Sequence, residues 1–253
     1  MRTIGSIAAT VALAYLALCL LLFVFQRSLI WIPQPPRPVA GAATMVLERD
    51  AVQVRVTTHP ADGPHALLYF GGNAEAVAFS LPELRQAFPD HALYLLNYRG
   101  YGGSGGRPSE AAVVADALAL HDLVRARHPQ VTVMGRSLGT GVAIQVAAAR
   151  PVSRLVLVTP FESLVDLGQR LFPFVPVRWL LRDRFESGHH AAGVRAPTLV
   201  LLAERDEVIP RASSQALVAR FAPGVASVVV LPGVGHNDLS LKPALVAFPR
   251  EPR

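Results

Sequence analysis

The segment Val131-Thr-Val-Met-Gly135-Arg136-Ser137-Leu138-Gly139 constrains the fold of this 253-residue chain more than any other. Apolar and β-branched residues lead into glycine-x-serine-x-glycine, and the small-residue run Leu138–Ala149 follows at once. That pattern reads as a strand passing through one sharp turn into a helix. Such a turn leaves no room beside it, so glycines at both ends let the backbones approach. The serine hydroxyl is pushed out above the sheet, and the helix N-terminus behind it offers free N–H groups to developing negative charge.

The rest of the chain supplies matching elements. Apolar runs bounded by turn residues recur at Val52–Thr57, Ala66–Phe70, Ala92–Leu96, Val131–Met134, Leu155–Val158, Thr198–Leu202 and Ser227–Leu231. Continuous apolar strands of this kind belong in a mostly parallel sheet covered on both faces. Helical patterns separate them, at Ala74–Ala87, Ser109–His128 with Ser109 as the cap, Leu138–Ala149, and Arg211–Phe221 after Pro210. The alternation predicts an α/β layered fold. Between Val158 and Thr198 there is no strand signal but a dense apolar cluster. A loop that long is usually functional. Residues 160–197 are expected to form a small helical lid, with Phe172, Phe174 and Trp179 as candidate substrate contacts.

The amino terminus sets a second constraint. No charged residue occurs from Thr3 to Phe25, enough to cross a hydrocarbon core of about 30 Å as a helix. A signal peptide's apolar region is shorter, about 7–15 residues, and here apolar sequence continues through Leu20–Phe25 where cleavage would fall. We expect a single-pass anchor over residues 1–26 and a proline-rich tether over 27–43 carrying Pro33, Pro35, Pro36 and Pro38. The folded domain then occupies 44–253, closing in a short helix that contains Pro243. Trp31 suits either the lipid interface or packing on that domain. Arg2 stands against Arg27, Arg37 and Arg49, so the positive-inside rule does not choose the membrane side.

Composition removes other classes. With 51% hydrophobic and 17% charged residues the chain is not a disordered polyelectrolyte. One cysteine, Cys19, excludes an internal disulfide and a thiolate zinc site. The basic residues are scattered arginines plus Lys242, without the run expected of a nucleic-acid arm. Gly-Lys-Ser/Thr is absent, and histidine spacing suggests no metal. No cofactor is expected.

A serine nucleophile needs a base, and the base needs an orienting acid. In this architecture both follow the serine in chain order, each after a strand. Thr198–Leu202 leads to Asp206, before Val208-Ile-Pro210, and Ser227–Leu231 leads to His236 in a glycine-rich loop. Glu204 and Glu207 compete with Asp206 as the acid, and Asp238 lies close enough to His236 to suggest a surface cap. His121, His128, His189 and His190 are expected to be ordinary surface histidines. Phe70-Gly71-Gly72-Asn73, between a strand and a helix, suits the second oxyanion donor, so the backbone N–H groups of Asn73 and Leu138 are assigned that role. Arg99 in the loop Asn97–Gly106 suits either an anionic ligand or an internal salt bridge.

These pieces resemble the α/β-hydrolase superfamily, and within it the membrane-anchored group of BEM46-like and ABHD-type serine hydrolases. The resemblance is carried by Tyr69-Phe-Gly-Gly-Asn-Ala-Glu75, Asn97-Tyr-Arg-Gly-Tyr-Gly102, Gly135-Arg-Ser-Leu-Gly139, Thr159-Pro-Phe161, Asp206-Glu-Val-Ile-Pro210 and Gly235-His-Asn-Asp238. It implies Ser137 as nucleophile, Asp206 as acid and His236 as base. Relatives often carry histidine where Gly71 stands. The implied chemistry is hydrolysis of esters or thioesters, on a small-molecule, acyl-lipid or acylated substrate. A serine peptidase on the same residues is the rival within this chemistry. An inactive, membrane-tethered binding protein is the rival outside it.

Overall fold

The computed structural model describes residues 2–238. Eight strands form one sheet: β1 (Ala43–Arg49), β2 (Val52–His59), β3 (His65–Phe70), β4 (Ala92–Leu96), β5 (Gln130–Arg136), β6 (Arg154–Val158), β7 (Thr198–Ala203) and β8 (Ala226–Leu231). Their order is β1-β2-β4-β3-β5-β6-β7-β8, antiparallel from β1 to β4 and parallel onward. The helices are α1 (Arg2–Ile30), α2 (Leu81–Ala87), α3 (Glu110–Arg125), α4 (Leu138–Ala149), α5 (Leu164–Leu171), α6 (Val177–Leu180), α7 (Ser187–Ala191) and α8 (Arg211–Val218).

The two faces of the sheet explain the continuous apolar runs. Ala66, Leu68 and Phe70 of β3 join one core with Val113, Ala117 and Leu120 of α3 and Val142 and Ile144 of α4. Leu67 and Tyr69, pointing the other way, join a second core with Leu81 and Leu84 of α2. Side chains alternate across a strand, so covering both faces demands apolar residues at every position. Ser109 caps α3, its hydroxyl accepting from the Ala112 N–H at 3.3 Å.

Several elements depart from expectation. β1 lies where the domain was expected to begin without a strand. It pairs with β2 across a two-residue turn whose Asp50 and Ala51 both adopt positive φ, the backbone twist that suits a hairpin. The single helix expected over Ala74–Ala87 is a 3-10 turn at Val77–Ser80 followed by α2, because Pro82 restarts the helix in its own first turn. The first helix runs on through Ile30, past the boundary expected at residue 26. Trp31 is buried against Tyr98, Tyr101 and Phe185. The short closing helix expected around Pro243 lies outside the described residues.

Candidate active site

Every candidate residue of the hydrogen-bonding chemistry sits at the carboxyl end of a parallel strand. Ser137 follows β5, Asp206 follows β7, His236 follows β8 and the Gly71–Asn73 loop follows β3. The loops at that end of such a sheet converge on a crevice.

The turn at Ser137 is as tight as the glycines suggest. A Cβ on Gly135 would collide with the Gly139 carbonyl, and one on Gly139 would collide with the Phe70 carbonyl. Ser137 itself holds φ +50° and ψ −119°, a conformation rare for a residue with a side chain and costly by roughly 1–3 kcal/mol. It is stabilised by the Ser137 N–H donating to the Val158 carbonyl at 2.9 Å.

From this turn a chain of hydrogen bonds runs outward. Ser137 Oγ lies 3.0 Å from His236 Nε2, and His236 Nδ1 lies 2.9 Å from Asp206 Oδ2 and 3.0 Å from Oδ1. His236 is only 4% exposed, which keeps water from competing for its ring nitrogens. Burial pushes the Asp206 carboxyl up. The His236 hydrogen bond and the backbone N–H groups of Ile209 and Val208 outweigh that, and the carboxyl lies below its ordinary range. A carboxylate fixed opposite Nδ1 favours the tautomer with the proton on Nδ1, leaving Nε2 to accept from the serine.

The competing acids have other partners. Glu207 Oε2 accepts the His236 backbone N–H at 3.1 Å, and Glu204 Oε2 accepts the Gly233 N–H at 2.7 Å. Both hold the histidine loop by its backbone and leave the ring to Asp206. Arg136, the residue before the serine, donates to the Asn237 carbonyl at 3.2 Å. Sequence reasoning missed these three fasteners. Only their closeness to the motif marked them.

The second loop passes directly against the serine. A Cβ on Gly72 would lie 3.6 Å from Ser137 Cβ. Glu75 braces the loop, accepting from the Gly72 N–H at 2.9 Å, the Tyr69 hydroxyl at 2.8 Å and the Ser80 hydroxyl at 2.6 Å. Gly71 has no room for a side chain. A Cβ there would come 2.6 Å from Val77 Cγ1 and 3.1 Å from the Glu75 carboxylate. Asn73 is pinned through its carbonyl, which accepts from Tyr101 Oη at 2.6 Å and Ile32 N–H at 3.1 Å. Leu138 is the first residue of α4, so its N–H has no partner four residues back in the helix.

A cavity of about 550 Å³ opens beside this point. Asn73, Leu138 and Phe161 form its inner end, and the segment expected as a lid folds as α5, α6 and α7, of which α5, α6 and the turn between them form one side. Phe172 lines it. Phe174 and Trp179 do not: they stand 87% and 84% exposed. For Trp179 the reason is the geometry of α6, where Val177 is buried and Trp179, two positions on, points to the opposite side. Assigning Phe174 and Trp179 to the substrate pocket is thereby corrected.

Other singled-out residues have structural partners. Arg99 makes a two-pronged bond to Asp116, both arms at 2.8 Å, and a third to Asp50 at 2.9 Å. His121 and His128 are buried, contrary to expectation, and meet the Pro151 and Gly63 carbonyls at 3.1 and 2.8 Å. Among the described residues no group of three or more His, Cys, Asp or Glu is placed to hold a metal ion.

Comparison with known proteins agrees with this architecture. A family model described as the alpha/beta hydrolase family matches residues 63–193. An uncharacterized protein of Mycobacterium tuberculosis is 36% identical over 93% of this chain and 89% of its own. The Schizosaccharomyces pombe protein bem46 is 30% identical over 69% of this chain and 62% of its own. Among solved structures, an esterase of Pyrococcus furiosus superposes with a TM-score of 0.67 at 14% identity, covering 83% of this chain and 91% of that one. The chain belongs to the alpha/beta hydrolase family.

Proposed function

We propose that this alpha/beta hydrolase is a serine hydrolase acting on a carboxylic ester or thioester with an apolar acyl chain, held at a membrane by α1. The observation that carries the reading is the unbroken line from the Asp206 carboxylate through both His236 nitrogens to Ser137 Oγ, at 2.9 and 3.0 Å. His236 Nε2 takes the serine proton as Oγ bonds to the acyl carbon. The backbone N–H groups of Asn73 and Leu138 stabilise the resulting oxyanion. His236 then gives the proton to the departing alcohol or thiol as the carbon–oxygen or carbon–sulfur bond breaks. Water, deprotonated by the same nitrogen, releases the acid and restores Ser137.

The cavity supports an acyl substrate over a peptide. An aminopeptidase must hold an α-ammonium group, which calls for a carboxylate. Among the described residues, those lining this cavity include no Asp or Glu. The length and composition of α1 support the anchor, since Thr3–Ile30 is apolar enough to cross a bilayer.

Turnover of p-nitrophenyl butyrate and of leucine p-nitroanilide by the purified full-length protein in detergent separates the readings. The proposal expects the ester to be cleaved and the anilide to be left intact. Cleavage of the anilide alone would establish the peptidase, and cleavage of neither would favour a binding protein.

A further inference from the structure

Helix α1 does more than leave the domain at its amino end. Its last turns form the wall of the cavity opposite the lid, through Leu22, Phe23, Leu29 and Ile30. The facing wall is Leu167, Leu171, Phe172 and Leu180. The inner end holds Asn73 and Leu138, the proposed oxyanion donors.

The helix is fastened in this position. Gln26, 7% exposed, bridges to the lid by donating to the Leu180 carbonyl at 3.1 Å and accepting the Arg182 N–H at 2.7 Å. The buried Asp183 carboxylate gathers Arg27 Nε at 3.2 Å, Trp31 Nε1 at 2.9 Å and the Glu110 N–H at 3.2 Å. Cys19 and Leu22 pack against Val175 and Val177. The carboxyl end of α1 is tied to the oxyanion loop itself, for Asn73 Nδ2 donates to the Ile30 carbonyl at 3.1 Å.

The lid also climbs the helix. Tyr15 Oη donates to the Phe174 carbonyl at 2.8 Å. Residues 15 and 30 are separated by about 22 Å along a helix axis at about 1.5 Å per residue. A bilayer core of about 30 Å takes about 20 residues, so the lid tip lies beside the part of α1 that would cross the core. At that tip Leu171, Phe174 and Trp179 are 73%, 87% and 84% exposed, and the Tyr15 contact sets this tip beside the exposed apolar side chains of α1. An apolar patch joined to a spanning helix is suited to lipid.

We propose that α1 is a wall of the acyl-binding site, with Leu22 and Phe23 as specificity-determining residues. The substrate is an ester or thioester whose acyl chain lies in the leaflet and enters between α1 and the α5–α6 edge of the lid. This inference rests on the serine-hydrolase reading above. It adds that the binding site is incomplete without the membrane helix. Phe174 and Trp179 then rest in the leaflet around the entrance, outside the pocket.

The test uses the full-length protein in phosphatidylcholine vesicles and an alkyl fluorophosphonate of about sixteen carbons bearing a diazirine near the far end of its chain. Ser137 Oγ displaces fluoride from phosphorus, and light then links the chain to whatever lies beside it. Mass mapping is expected to find one peptide carrying Ser137 joined to a peptide from residues 19–30. Crosslinks from a Ser137 adduct that reach only the lid or other strand-tip loops would overturn the inference while leaving the hydrolase reading intact. Failure to label Ser137 at all would overturn both. In parallel, Phe23→Ala is expected to lower the ratio of kcat/KM for p-nitrophenyl palmitate over p-nitrophenyl butyrate about tenfold, since two methylenes of lost contact suffice for that factor. An unchanged ratio in an enzyme that remains folded counts against the wall.

Discussion

The floor of the cavity and its roof hold their residues by different means. The floor is a set of strand-tip loops fixed by backbone sterics and short polar contacts. Gly135 and Gly139 admit no side chain, and Arg136, Glu204 and Glu207 hold the histidine loop by its main chain. The roof is apolar packing between α1 and the lid, joined through three polar points, Tyr15, Gln26 and Asp183. The floor therefore fixes atoms to within a hydrogen bond, as proton transfer requires. The roof fixes a volume and a polarity, which is what a flexible chain requires. Substitutions on the floor should change rate with little change in fold. Substitutions on the roof should change stability or selectivity first.

The largest expected effect is on the floor. Asp206→Asn keeps the size of the acid but loses the carboxylate that selects the His236 tautomer, so kcat/KM for p-nitrophenyl butyrate should fall about 10⁴-fold. The circular dichroism spectrum should be unchanged. A small loss would mean that Glu204 or Glu207 takes over, and that the floor is less tightly specified than described.

Next comes the roof fastener. Asp183→Ala removes the common acceptor of Arg27, Trp31 and Glu110 and strands the Trp31 and Glu110 N–H groups in a buried place. Breaking a buried charged cluster of this kind costs about 3 kcal/mol. Thermal unfolding in detergent should show a lower Tm. A lower Tm with the ester rate at low temperature nearly kept would sharpen the division between roof and floor, and an unchanged Tm would break it.

A smaller effect concerns neither surface. Burial, then the nearby His65, lowers His91 from 6.5 to about 4, with Asp90 opposing and Arg154 adding to the shift. Between those values the unfolded chain takes up a proton that the folded chain refuses, so stability is full above about pH 6.5 and is lost as pH falls toward 4. Burial lowers His121 and His190 in the same sense. His91→Gln should flatten the decline in Tm between pH 6.5 and 4.5. An equally steep decline would assign it to other groups.

The smallest effect is expected at the outer edge of the roof. Trp179→Ala should change stability in detergent by less than about 0.5 kcal/mol, as at other exposed positions. A Tm loss as large as that of Asp183→Ala would show that Trp179 packs on the domain.

What could be read in the sequence divides along the same line. The floor is written in short local strings, since the demands on Gly135, Ser137 and Gly139 arise within one turn. Asp206 and His236 were legible because each directly follows an apolar strand. Arg136, Glu204 and Glu207 were not, because their partners lie in loops brought together only by the sheet. The roof was legible as a cluster of apolar residues, but not in its orientation. Four-residue α6 is too short to show a period, so nothing in the string said that Val177 faces in and Trp179 faces out. The pairing of α1 with the lid joins residues some 150 positions apart, such as Gln26 and Leu180, and leaves no local trace. β1 was missed because its alternation is brief and follows directly on the prolines.

The most direct test of the account is where a serine-reactive probe attaches. Fluorophosphonate treatment of the full-length protein, followed by mass mapping, should place a single adduct on Ser137, and His236→Ala should abolish it. An adduct on another serine, or a Ser137 adduct formed as fast without His236, would contradict the account.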